Sequence, residues 1–214
     1  MSTDLTAVER TRLIAIVRLP EYSRAVEVAR ALVAGGISVL EFTLTGQGAA
    51  EAIERTRAAL GASAFIGAGT VLQAGEVAQV AAAGAQFVVT PVLKLSVIEA
   101  CHAQDLPIIC GAFTPTEIQS AHEAGAAMVK VFPARQLGPH YLRDILAPLP
   151  HVRLVPTGGI HSGNLRDYLA AGAVAVGLGG NLISAAAVAA GDWEQITRQA
   201  RACAEAVHGM SSTQ

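Results

Sequence analysis

Two lysines, Lys94 and Lys130, stand among 13 arginines in this 214-residue chain. Where nearly every surface cation is arginine, a retained lysine marks a place where a guanidinium does not serve. What the amine can do and the guanidinium cannot is lose its proton and attack as a nucleophile. Lys94 begins an expected helix just past Pro91, where a solvated ammonium needs no further account. Lys130 lies inside AMVKVF (127–132). Strand alternation there puts Val129 and Val131 on one face and Met128, Lys130 and Phe132 on the other. With the valines packed against helices, Lys130 turns inward near the end of its strand, and desolvation there favours the neutral amine. Two readings stay open: a lysine in a structural ion pair, and a lysine that forms a Schiff base.

A carboxylate answers it in ISVLEFTL (37–44), where Ile37, Val39, Glu41 and Thr43 share one face and Ser38, Leu40, Phe42 and Leu44 the other. Glu41 therefore also points inward. A lone buried Glu is costly unless it is paired or functional, and imine chemistry needs a group to move protons at the carbinolamine and enamine stages. Arg18, at the end of LIAIVR (13–18), is a third inward candidate, with a plain surface role as the alternative. Two glycine-rich turns close the last two strands: PTGGI (156–160), with Thr157, Gly158 and Gly159, and GLGGN (177–181), with Gly179, Gly180 and Asn181. Backbone N–H groups in such loops hold a phosphate in many barrels; the other reading is glycines that simply make tight turns.

The elements that must position these residues follow a regular pattern. Eight short apolar runs read as strands: 13–18, 37–44, 63–70, 86–90, 107–111, 127–132, 152–157 and 173–178. Between them lie Ala-rich segments of helical spacing such as YSRAVEVARALVA and TEIQSAHEA. A weak repeat, AGGISVL, AGAQFVV, AGAAMVK and AGAVAVG, ends a helix on Gly and starts a strand at once. Eight βα units predict a single-domain (β/α)₈ TIM barrel spanning 1–214, with its core at about 13–196; an open doubly wound sheet is the alternative. The count of eight, and polar residues at the strand C-terminal ends, favour the barrel.

Composition closes off other classes. Hydrophobic residues at 52% against 15% charged exclude a disordered chain, and a net charge of −2 without a basic run argues against nucleic acid as a partner. No apolar stretch approaches the ~20 residues of a bilayer span, and MSTDLTAVERTR has no apolar signal core, so a cytoplasmic protein with no membrane partner is expected. Cys101, Cys110 and Cys203 have neither zinc nor disulfide spacing and read as buried thiols. The six histidines lack metal-ligand spacing, and no P-loop, dinucleotide or nucleophile-elbow motif occurs, so neither metal nor cofactor is expected.

Taken together, LVAGGISVLEFTL, IGAGTVL, AGAQFVVTPVL, GAFTPTEI, VKVFPA and PTGGI resemble, in order and spacing, the 2-keto-3-deoxy-6-phosphogluconate/4-hydroxy-2-oxoglutarate aldolase family over residues 13–196. These are class I aldolases of the (β/α)₈ fold. The resemblance implies that Lys130 forms the Schiff base, Glu41 is the general acid/base, Thr70 contacts the pyruvate-end carboxylate, and Pro91 and Phe132 wall the pocket. Gly158, Gly159, Gly179 and Gly180 would bind phosphate. It further implies a homotrimer that acts on pyruvate and a keto-deoxy sugar acid without a cofactor. Two positions depart from the better-known pattern. Thr45 stands where many members carry an Arg, a loss that Arg18 can make good through the I-x-R pattern of other members, and Asn181 stands where a phosphate-binding Ser is common. LGPHYLRDILAPLP resembles the galactonate-type branch. The competing functions are a sugar-phosphate isomerase or epimerase with Glu41 as base, and a non-catalytic sugar-acid-binding barrel.

Overall fold

A computed structural model describes residues 4–209, so the first three residues of the N-terminal stretch lie outside it. The strands are β1 (Leu13–Val17), β2 (Val39–Thr43), β3 (Phe65–Gly69), β4 (Val88–Val89), β5 (Ile108–Ala112), β6 (Met128–Val131), β7 (Leu154–Pro156) and β8 (Val176–Leu178). Each falls within the run expected for it except β5, which continues one residue past 111 to Ala112. They pair in parallel in the order β7-β6-β5-β4-β3-β2-β1-β8. The Val174 N–H donates to Leu154 O at 3.0 Å and a bridge joins Thr157 to Gly177, which brings β8 back against β7 and closes the cylinder.

Among the described residues ten α-helices accompany the strands: α1 (Thr6–Thr11), α2 (Ala25–Ala34), α3 (Ala49–Leu60), α4 (Ala74–Ala82), α5 (Leu95–Ala103), α6 (Pro115–Glu123), α7 (Gly138–Leu146), α8 (Leu165–Ala170), α9 (Ala185–Ala190) and α10 (Trp193–His208). The repeated glycines do what the sequence pattern asks of them. Gly36, Gly84, Gly125 and Gly172 all take φ between 85° and 102°, where a side chain would be strained, and each lets a helix end and a strand begin at once. At the start of α6, Thr114 accepts from the Glu117 N–H and Glu117 accepts from the Thr114 N–H, a reciprocal cap that fixes where the helix begins.

Alternation sorts the strand residues into two cores. Leu40, Phe42, Val129 and Val131 face outward and pack beneath the helices, whereas Ile14, Val39, Phe87, Ile109, Met128, Val155 and Ala175 fill the barrel interior. Leu5 and Val8, at the beginning of α1, pack into that interior cluster and close its lower end.

Candidate active site

One step further along the inward faces, toward the strand C-terminal ends, the interior changes character. Glu41 and Lys130 are both buried there, and Lys130 Nζ lies 3.6 Å from Glu41 Oε1. Among the described residues Glu41 Oε1 has no hydrogen-bond partner, and it faces the lysine amine at 3.6 Å. Glycines make the room. A Cβ on Gly69 would lie 2.0 Å from Glu41 Oε1, and one on Gly177 would lie 2.3 Å from the Thr157 hydroxyl. Gly111 lies against the Pro91 backbone, 2.3 Å from where its own Cβ would stand. The missing side chains on three strands leave room that the Glu41 carboxylate, the Thr157 side chain and the Pro91 backbone occupy, so the buried amine and carboxylate sit among bare backbone.

Beside the pair is a cavity of about 430 Å³. Its walls include Ile16, in register with Glu41 on the neighbouring strand, and Phe132, whose ring centroid is 5.5 Å from Lys130 Nζ. Arg18 reaches the mouth from the end of β1, and Thr157, Gly158, Gly159, Gly179, Gly180 and Asn181 complete the side nearest β7 and β8. The two glycine pairs differ. Gly158 and Gly159 take φ of 103° and 78°, so the turn itself demands glycine. Gly179 and Gly180 have no such φ, and a Cβ on either would meet nothing within 4 Å. Backbone geometry does not explain the second pair, and the open space beside it suits close approach of a ligand.

Thr70 and Pro91 are placed apart from this cavity, on the β3–β4 side of the mouth. Thr70 directly follows Gly69 and holds φ at +58°, a conformation rarely taken by a β-branched residue and one that costs of order 1–3 kcal/mol. Thr45 is exposed, its hydroxyl 2.9 Å from that of Thr43, and supplies no cation. His122 and His151, 29 positions apart, bring their rings to 4.8 Å at the far end of the barrel, a pairing that spacing could not show. Among the described residues no three His, Cys, Asp or Glu side chains gather where a metal could sit, and no helix is long and apolar enough to cross a membrane. The three cysteines are free and buried, and burial pushes the Cys101 thiol up to about 12.

Several residues of the site escaped the sequence patterns. Arg135 and Gln136 follow Pro133 in the loop after β6 and line the cavity. Gly69 had a legible signal, since Gly67 and Gly69 alternate on the inward face of β3. Gln199, on α10, had none. With its amide nitrogen turned toward the loop it donates to Asn181 O at 2.6 Å and Leu182 O at 3.1 Å, tying the loop after β8 to a helix. The buried Tyr22 hydroxyl sits between Val17 O (2.9 Å) and Thr43 O (2.8 Å), pinning together the ends of the two strands that carry Arg18 and Glu41.

A buried amine–carboxylate pair at the C-terminal mouth of a parallel eight-stranded barrel, next to a glycine-lined cavity, is an arrangement whose chemistry suits imine formation with a carbonyl compound. Comparison with known proteins makes the class specific: residues 6–199 match the family described as KDPG and KHG aldolase. The chain is 44% identical to a 2-dehydro-3-deoxy-phosphogluconate aldolase of Treponema pallidum over 92% of its length and 94% of the relative's. It is 40% identical to a KHG/KDPG aldolase of Escherichia coli (strain K12), covering 92% and 91%. Among solved structures it superposes, with a TM-score of 0.85 and 33% identity, on a KDPG aldolase from Legionella pneumophila with pyruvate captured at low pH as a covalent carbinolamine intermediate, covering 92% and 96%. The chain belongs to the KDPG and KHG aldolase family and is a carbon–carbon lyase. The isomerase and the non-catalytic readings give way to it.

Proposed function

We propose that the enzyme reversibly cleaves a 2-keto-3-deoxy-6-phospho sugar acid to pyruvate and glyceraldehyde 3-phosphate through an imine on Lys130. The observation that carries this reading is the buried Lys130–Glu41 pair at 3.6 Å, set among glycines beside the cavity. Lys130, having passed a proton to Glu41, attacks the C2 ketone to give a carbinolamine. Glu41 returns the proton to the departing hydroxyl, water leaves, and a cationic imine remains. Glu41, a carboxylate again, takes the C4 hydroxyl proton as C3–C4 breaks; the bonding electrons form C2=C3 and the imine π electrons settle on nitrogen, giving an enamine while the aldehyde departs. Return of that proton from Glu41 to C3, then hydrolysis of the imine, release pyruvate and restore the amine. This chemistry requires no metal or organic cofactor. The carbinolamine of the Legionella protein lends it support.

Arg18 is assigned to the carboxylate in place of the cation absent at Thr45, with Thr70 as a second contact, and the glycine loops with Asn181 to the phosphate. The gluconate-type acid is the preferred substrate on the 44% relative; 4-hydroxy-2-oxoglutarate is a second, because the Escherichia coli relative bears both names. We place the enzyme in the cytoplasm and assign a homotrimer on family resemblance, the second of which light scattering in solution reads directly. Incubation with pyruvate and borohydride, then digestion and mass spectrometry, tests the central claim. A reduced adduct on Lys130 is expected. No adduct, or one confined to Lys94, overturns the imine mechanism.

A further inference from the structure

Among the described residues the cavity beside the Lys–Glu pair has two guanidiniums in its walls, Arg18 and Arg135, and no carboxylate side chain. Among the described residues neither arginine has a carboxylate partner. They stand on different sides. Arg18 rises from the end of β1, next to the strand that carries Glu41, whereas Arg135 leaves the loop after β6 and lies along the first glycine turn. A Cβ on Gly159 would be 2.8 Å from Arg135 Nε and 2.9 Å from its Cβ, so the arginine stem rests on the bare backbone of that turn. Gly159, at φ 78°, is thus fixed twice over: by its own conformation and by the arginine above it. Across the same cavity, Asn181 offers a neutral amide.

We propose that Arg135 is a specificity-determining residue that pairs with the phosphate dianion of the substrate. This rests on the reading given under the proposed function. The glycine loops supply N–H donors but no full positive charge, and Asn181 adds none. A guanidinium anchored on Gly159 supplies the charge, with a planar fork suited to phosphate oxygens. Because Arg135 is exposed, the pairing is screened by salt. Its contribution falls on substrate binding and not on the reacting carbons, which lie against Lys130.

The test compares 2-keto-3-deoxy-6-phosphogluconate with 2-keto-3-deoxygluconate, the same skeleton without phosphate, on the wild type, Arg135→Gln and Arg135→Lys. Loss of one charge-assisted contact raises KM for the phosphorylated acid about tenfold in Arg135→Gln, with kcat within about twofold. The unphosphorylated acid is unaffected, Arg135→Lys recovers part of the loss, and inorganic phosphate weakens as a competitive inhibitor in parallel. Equal losses on both acids, or an unchanged KM for the phosphorylated one, overturn the role of Arg135. Borohydride trapping of pyruvate separates the two failures. If Arg135→Gln still traps pyruvate on Lys130 while its KM is unchanged, the aldolase reading stands and only this proposal falls; a wild type that traps none removes both.

Discussion

The two layers of the barrel interior are made by the same strands, two residues apart, and are opposite in kind. Val39 precedes Glu41, Ile109 precedes Gly111, Met128 precedes Lys130, Val155 precedes Thr157 and Ala175 precedes Gly177. All of the side-chain-bearing members are buried, so access to water is not what distinguishes the layers. The lower layer holds the cylinder together by packing, stopped with Leu5 and Val8. The upper layer gives up packing. Glycine in a strand costs roughly 0.5–1 kcal/mol against alanine, and a buried ion pair regains its desolvation cost only when its geometry is good. The contrast gives one layer to packing and leaves the other for the chemistry proposed above.

That division can be broken by substitution, and the largest effect belongs to Lys130. Lys130→Met should lower kcat by at least about a thousandfold and abolish the pyruvate adduct, because it removes the amine that faces Glu41. Glu41→Gln keeps the shape but cannot take up a proton, and a loss of about 10²- to 10⁴-fold in kcat is expected with the fold intact by circular dichroism. Gly69→Ala puts a methyl where Glu41 Oε1 now lies, 2.0 Å away, and pushes the carboxylate off the amine. It should cost about a hundredfold in kcat although it touches no substrate. The lower layer should answer in the other way. Phe87→Ala leaves a void among Ile109, Met128 and Val155, costing about 3–5 kcal/mol of stability in denaturant titration. Once the remaining folded enzyme is counted, its kcat should be near that of the wild type. A Phe87→Ala enzyme of full stability but crippled kcat would erase the distinction.

Most of this division was legible in the sequence because alternation along a strand is a local property. The positions of Val39 and Glu41, or of Met128 and Lys130, follow from counting by two, and the eight strands follow from apolar runs punctuated by glycine. Arg18 and the two glycine turns were legible for the same reason, since they end strands. What stayed hidden depends on contacts between distant segments. Gln199 comes from α10, and nothing in WEQITRQARACAEAVH marks that one residue as holding the loop after β8. The His122–His151 contact likewise needs α6 and the turn before β7 to meet. Thr70 and Pro91 came through family resemblance, and their placement on the β3–β4 side of the mouth required the fold.

The smallest effect expected in the upper layer concerns that hidden residue and tests whether loop position, apart from charge, contributes to phosphate binding. Gln199 holds Asn181 O and Leu182 O through one amide nitrogen, while the Leu182 N–H closes the turn on Gly179 O at 2.8 Å. Gln199→Leu removes both donors without adding bulk. Asn181 is exposed, so water can take over its carbonyl and the cost is limited to the order imposed on the loop. KM for the phosphorylated acid should rise about two- to fivefold, with kcat and melting temperature nearly unchanged. Gln199→Lys keeps a donor facing both carbonyls and should restore most of the affinity. Gln199→Glu, an acceptor set against two acceptors, should be worse than Leu. If Lys, Leu and Glu at this position behave alike, the hydrogen bonds are incidental, and the open space around Gly179 and Gly180 is maintained by the barrel strands without help from α10.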